Sequence, residues 1–316
     1  MLLRRLVSLP LVFIISVTVL ASAPLLLLVS WLASYLPKTS GLFRTACFLL
    51  AFAYFELKGW LWFLYIWFRY RDPDEFLAQN YRVQYWWSEA LLTTGARCFD
   101  VTFSVTGDPA TEGPSAILAA RHASIGDNVL PMVFFGIPRN EPLRYVLKKE
   151  LMWLPTLDIG AHRLPTLFID RSGTDTDGEL QRLRALLSTA DDDESVFIYP
   201  EGTRFTPEKH AKLREKPNLS EQTARWPDLL PPRMGGITAL LDENTSKDIV
   251  FMCHTGFEGA AKAGNLANGS WVGQHVRIHM WRISYDDIPD DHEAFVTEQW
   301  DKMQSTLLEL RDSPAN

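Results

Sequence analysis

No charged side chain occurs between Arg5 and Lys38. An apolar run of that length exceeds the roughly 20 residues one spanning helix needs. The start of the chain is therefore limited to a lipid-facing helix or a cleaved leader. Ala21-Ser22-Ala23 has the small side chains of a leader cleavage site. The apolar character nevertheless continues through Pro24-Leu25-Leu26-Leu27-Leu28-Val29, which a processed junction does not require. The expectation is a retained anchor.

A second apolar stretch covers residues 42–70, interrupted by Glu56, Lys58 and Gly59. Trp60, Trp62, Tyr65, Trp67 and Tyr70 crowd its end beside Arg69 and Arg71. Amphipathic rings flanked by arginines mark the level of lipid head groups, and six of the chain's eleven tryptophans fall before residue 90. Arg4-Arg5 and Arg69/Arg71 both favour the cytoplasmic side. Two crossings or none satisfy that, so residues 1–71 are expected to form a two-helix membrane hairpin, spanning or dipping into one leaflet. Residues 72–316 would then form a cytoplasm-facing domain on the inner membrane.

Beyond the anchor, a helix is expected from the Asp72-Pro73-Asp74 start signal through Trp86-Trp87 to Leu92. Val101 to Thr106 alternates as a strand before Gly107-Asp108-Pro109. Short β-rich runs then follow at Ala116–Ala120, Arg144–Leu147, Thr166–Ile169, Ser195–Tyr199, Ile249–His254 and Val276–Ile283. Helical stretches at 126–136, 175–189, 234–242 and 290–311 separate them. This alternation predicts an α/β domain with a mostly parallel central sheet flanked by helices. Net charge is −7, which leaves no basic footprint for nucleic acid. Cys47, Cys98 and Cys253 are scattered without a C-x-x-C pair, so neither a structural metal site nor a disulfide framework is expected.

The chemistry concentrates at Arg121-His122-Ala123-Ser124-Ile125-Gly126-Asp127. His122 follows a buried-type strand, at the carboxyl edge of a sheet where ligand crevices open. Imidazole takes a proton near neutral pH, and a carboxylate beside it fixes the tautomer and stabilises the imidazolium. Asp127 also stands in capping-box spacing from Ser124, so a pure cap is the competing reading. Of the seven histidines only His122 and His210 are followed by a carboxylate five positions later, and His210 lies in a charge-rich stretch. Three further blocks end in ligand-competent residues. Phe197 to Arg204 is a strand run closing on Tyr199-Pro200-Glu201-Gly202-Thr203-Arg204, where a glycine permits close approach and an arginine offers a fork of donors for phosphate. Leu167 to Arg171 is a strand ending in Asp170-Arg171, where Asp170 pairing with a nearby base is the plainer reading. Leu229 to Gly236 carries Pro231-Pro232 before two glycines.

In this order the four blocks resemble the glycerolipid acyltransferases, the lysophosphatidic acid acyltransferases and their PlsC-like relatives. That resemblance implies His122 and Asp127 as catalytic dyad, Arg171 from the second block, Glu201, Gly202, Thr203 and Arg204 from the third, and Pro231 or Pro232 from the fourth. Lys148, in Lys148-Lys149-Glu150-Leu151, matches the family's lysine-bearing segment. The continuation Phe205-Thr206-Pro207-Glu208-Lys209-His210 is similar to the lysocardiolipin-type branch and its bacterial homologues. Two positions depart from the pattern: Arg121 stands where the family usually has Asn, and Ala123-Ser124-Ile125-Gly126 lacks the aromatic residue that often precedes the Asp. The implied reaction moves an acyl group from acyl-CoA or acyl-carrier protein to a lysophospholipid hydroxyl, 1-acyl-sn-glycerol-3-phosphate first. Lysophosphatidylglycerol and lysocardiolipin are alternative acceptors, and a non-catalytic regulatory protein on this fold is the rival from another class. No metal or bound cofactor is implied, and no G-x-S-x-G nucleophile elbow is present.

Overall fold

The computed structural model describes residues 2–107, 111–170, 176–260 and 263–312. Helix α1 (Leu2–Ala21) breaks at Ser22 and continues as α2 (Ala23–Ala33), with Pro24 in its first turn. Helix α3 (Leu42–Arg69) then runs back along both. Leu3–Ala21 and Leu42–Arg69 are each long and apolar enough to cross a membrane. Their outer faces expose Leu6, Phe13, Ile14, Leu61, Leu64 and Phe68, and α2 between them exposes Leu28.

Helix α3 does not stand away from the rest of the molecule. Its inner face buries Ala46, Ala53, Gly59, Phe63 and Ile66. At its start, Gly41 donates to the Ala267 carbonyl and Arg44 to the Cys98 carbonyl. Near its end, Arg163 donates to the Phe63 carbonyl over 2.9 Å. A 28-residue helix is about 42 Å long, and it docks at both ends on the same body. Close approach depends on glycine: a Cβ on Gly59 would sit 3.2 Å from the Thr156 methyl, and one on Gly160 would sit 3.1 Å from the Phe63 ring.

Helix α4 (Pro73–Phe99) begins where expected, capped by the Asp72 carboxylate, which accepts the amides of Asp74 and Glu75. It runs past Leu92 because Gly95 packs beneath Phe48, a tertiary contact that overrides glycine's poor helix propensity. After it come β1 (Thr102–Thr106) and β2 (Ala116–Ala120), as expected. The helix expected over 126–136 is instead a 3-10 turn, Gly126–Val129, a π-type turn, Met132–Gly136, and the short α5 (Ile137–Arg139). Pro131 and Pro138 each lack an amide to donate, which breaks the regular ladder.

The remaining elements are β3 (Leu143–Lys148), α6 (Pro155–Ala161), β4 (Leu167–Ile169), α7 (Thr176–Ser188), β5 (Ser195–Ile198), α8 (Pro207–Arg214), α9 (Ser220–Arg225), α10 (Met234–Glu243), β6 (Asp248–Thr255), β7 (His275–Ile283) and α11 (His292–Asp312). One 7-stranded sheet has the order β1-β7-β6-β2-β5-β3-β4. The run from β6 to β4 is parallel; β7 is antiparallel to β6, and β1 is parallel to β7. Both faces of β2 are buried. Leu118 and Ala120 join the core under α4, and Ile117 and Ala119 join the core under α7, α10 and α11. A strand covered on both faces reads as a continuous apolar run, which is why Ala116–Ala120 shows no alternation. The parallel strands β6, β2, β5 and β3 deliver their carboxyl ends to one edge, where the site lies.

Candidate active site

Immediately after β2, His122 is nearly buried and lines a cavity of about 550 Å³. Its Nδ1 lies 3.2 Å from Asp127 Oδ2, and the same oxygen accepts the amides of Ala123 at 2.5 Å and Ser124 at 2.7 Å. Asp127 therefore does both: its reach back to the Ser124 amide is the capping-box contact, and the same oxygen faces the imidazole. Burial opposes ionisation of Asp127, but the charge of His254 and the hydrogen bond from His122 hold its carboxyl well below the usual range. It is a fixed anion beside a ring able to accept a proton.

The Tyr199 ring stacks on His122, with centroids 4.0 Å apart and planes 16° from parallel. Burial pushes its phenol well above its ordinary value, so the hydroxyl stays protonated. That hydroxyl has no hydrogen-bond partner among the described residues, and the residue lines the cavity.

The cavity leads from this edge to α3 and α4. Phe48, Phe52 and Phe63 of α3, Trp87 and Leu91 of α4, and Leu151, Leu157 and Leu164 line it. Lys148, Arg204 and Lys209 supply its cationic groups, and none of its described lining residues is Asp or Glu. Lys209, on a helix capped by Thr206, donates to Thr203 Oγ1 at 2.9 Å and to the Arg204 carbonyl at 2.8 Å, holding the third block in place. The Thr206-Pro207 pair is a start signal for α8 in a stretch otherwise readable as a charged insertion.

Several expected site residues are placed otherwise. Glu201 is 2% exposed and faces inward. Its two carboxylate oxygens accept the amides of His122 at 2.6 Å and Leu230 at 3.0 Å. It ties the first, third and fourth blocks together and does not line the cavity. Burial raises its carboxyl to about 7. Gly202 adopts φ +67, and a Cβ there would meet the Arg233 side chain at 2.7 Å, so it serves the turn. Pro231 and Pro232 are buried away from the cavity, because Leu230 is drawn under Glu201. His210 bonds the carbonyls of Thr223 and Trp226 at 3.0 Å each and serves packing rather than a ligand. Asp170 pairs with Lys149 at 2.8 Å, the plainer reading; Arg171 lies outside the described residues.

Arg121 does not enter the cavity. Strand alternation turns it to the opposite side from His122, where it is fully buried. It pairs with Glu258 at 2.8 Å and donates to the carbonyls of His254 and Asp228. His254 is the residue sequence reasoning missed. It is the penultimate residue of β6, beside β2, and its Nε2 lies 3.1 Å from Asp127 Oδ1. The available signal was that Ile249–His254 and Ala116–His122 are both apolar runs closing on a histidine.

Part of the chain is similar to a known acyltransferase domain. The family model described as Acyltransferase matches residues 102–226, which hold both His122 and Arg204. Among individual proteins, the chain is similar to 1-acyl-sn-glycerol-3-phosphate acyltransferase epsilon of Mus musculus, with 24% identity over 225 residues covering 66% of this chain. It spans 61% of that relative's length. Its fold matches the crystal structure of the 1-acyl-sn-glycerophosphate (LPA) acyltransferase PlsC from Thermotoga maritima. The TM-score is 0.62 at 15% identity, covering 88% of this chain and 99% of that one.

Proposed function

We propose that this chain transfers a fatty acyl group from an acyl thioester, acyl-CoA or acyl-carrier protein, to the free hydroxyl of a lysophospholipid, with 1-acyl-sn-glycerol-3-phosphate the first acceptor. The observation that carries this is one cavity. It holds the His122 ring and three cations at the strand ends, contains no carboxylate among its described lining residues, and continues between aromatic side chains to the exposed apolar helices. An acyl chain suits the apolar length, and a phosphate suits the cations.

His122 Nε2 takes the proton from the acceptor hydroxyl as its oxygen attacks the thioester carbonyl. Asp127 holds Nδ1 and stabilises the imidazolium until the proton passes to the leaving thiolate. General-base catalysis of this kind contributes about 100- to 10,000-fold. Arg204 and Lys148 neutralise the acceptor phosphate, and Tyr199 offers a hydroxyl donor to an oxygen in the cavity. Most of the remaining acceleration comes from holding hydroxyl and thioester together.

Residues 1–71 act as the membrane anchor of a domain formed by 72–316, and the anchor dips into one leaflet on the cytoplasmic face. Support for the dip is that α3 docks at both ends on one body, whereas a helix crossing a hydrocarbon core of about 30 Å would separate its ends. Arg4 and Arg5 also ion-pair with Asp158 on α6, at 2.5 and 2.6 Å, which keeps the start of α1 on the same side.

The test is lipid mass spectrometry after incubating the purified full chain with lysophosphatidic acid and oleoyl-CoA, in parallel with lysophosphatidylglycerol and lysocardiolipin. Phosphatidic acid formed by the wild type and absent with His122→Ala supports the reading. Transfer only to another lysophospholipid moves the acceptor. No transfer to any of them, from oleoyl-CoA or from an acyl-carrier protein thioester supplied in its place, overturns it.

A further inference from the structure

Asp127 carries two histidines, one on each oxygen. Oδ2 is held by His122 and two backbone amides, and Oδ1 faces His254 Nε2 at 3.1 Å, close but not aligned as a full hydrogen bond. His254 is 1% exposed and does not line the cavity, so it reaches substrate only through Asp127. Its Nδ1 is buried with no acceptor among the described residues. The Arg121 guanidinium donates to the His254 carbonyl. Glu258, the other charged group near it, is already paired with Arg121. Phe257 closes the remaining side with its ring centroid 6.1 Å away. Nε2 is thus the ring nitrogen that faces the carboxylate.

We propose that His254 is a positioning residue for the dyad: as a donor to Asp127 Oδ1, it fixes the carboxylate's orientation and sets the proton affinity of His122. The inference rests on the acyl-transfer reading of that dyad. A carboxylate with one oxygen unpartnered attracts the His122 proton more strongly and rotates more freely. Catalytic hydrogen bonds often tighten only when the substrate is bound, so the loose alignment in the free protein is compatible with this role. The other groups facing the dyad, Tyr199 on the His122 ring and Glu201 on the His122 amide, are the same in every variant below.

The experiment compares wild type, His254→Phe, which keeps a ring and removes the donor, and His254→Gln, which keeps an N–H donor. Two readouts are taken on the full chain in detergent. One is kcat and KM for lysophosphatidic acid between pH 5.5 and 9. The other, without substrate, is the pH dependence of diethylpyrocarbonate modification of His122, followed by peptide mass spectrometry. His254→Phe is expected to lower kcat about tenfold with KM within about twofold, and to move the acid limb of both profiles up by roughly half to one pH unit, the equivalent of a fraction of a hydrogen bond. His254→Gln is expected to keep the limb in place. A wild-type limb in His254→Phe overturns the proposal, as does equal loss in both variants with the limb unmoved. Should His254→Phe not fold, a displaced limb in His254→Gln overturns it alone. Failure of wild type to transfer any acyl group refutes the acyl-transfer reading instead, and the modification profile still decides whether His254 tunes His122.

Discussion

Glu201→Gln separates a residue that builds the site from one that touches substrate. Glu201 accepts two buried amides, one from His122 and one from Leu230. Glutamine keeps one acceptor oxygen and places an NH₂ against the second amide, so two donors meet in a site 2% exposed. Loss of one buried hydrogen bond to a carboxylate, with a donor stranded, is worth about 1.5–3 kcal/mol. For a domain of this size that is a fall of roughly 4–10 °C in unfolding midpoint. Because the His122 amide is one of the two, kcat should also fall about tenfold as the ring shifts from its working position. The effect depends on pH in a defined direction. Burial raises the Glu201 carboxyl from 4.5 to about 7. The folded state therefore holds this proton more tightly than the unfolded chain, and the associated stability is present below about 4.5 and lost as pH rises through about 7. Wild type should thus lose stability relative to Glu201→Gln between pH 5 and pH 8. Thermal unfolding followed by tryptophan fluorescence at both pH values, alongside acceptor and donor saturation curves, checks this. Unchanged midpoints with a raised acceptor KM would refute the reasoning and place Glu201 against the substrate.

His122→Ala should lower transfer about 100- to 10,000-fold while the protein remains folded and membrane-bound, and Asp127→Asn should be severely impaired; equal turnover by either variant in the lipid mass assay would remove the dyad from the mechanism. Arg204→Lys keeps the charge but loses the bidentate fork, so acceptor KM should rise roughly ten- to 150-fold, corresponding to about 1.5–3 kcal/mol, with donor KM unchanged; a change confined to acyl-CoA would assign this arginine to the donor's phosphates. If α3 lies in one leaflet, single cysteines introduced at Thr39 and Arg71, after replacement of the native cysteines, should both react with an impermeant maleimide from the same side of a sealed vesicle; labelling from opposite sides would show a crossing. Gly59→Leu should push α3 off Thr156 and weaken activity and thermal stability together, whereas an equally large change at exposed Leu61 should do neither.

The sequence by itself determined the elements and the chemistry that is local. A charge-free start, a β-rich run ending in His122, and Asp127 five positions on are set by short-range pattern and backbone geometry. They specify long apolar helices at the start, an α/β alternation and a paired imidazole and carboxylate. Element bounds slipped where long-range packing overrode local preference, as at Gly95 under Phe48, or where Pro131 broke a periodic apolar stretch into a 3-10 and a π-type turn. What only the tertiary structure decided is which side chains share a space. Glu201 and Arg204 stand three residues apart in one block, yet one turns inward to brace two loops and the other lines the cavity. Arg121 and His122 are adjacent and point to opposite sides of a strand. His254 reaches Asp127 solely because β6 pairs beside β2 in parallel register, and α3 lies along the domain because glycines on both surfaces let it approach. Hydrophobic pattern fixes which face of an element is buried. It does not encode the partner, which depends on the order in which strands assemble into the sheet.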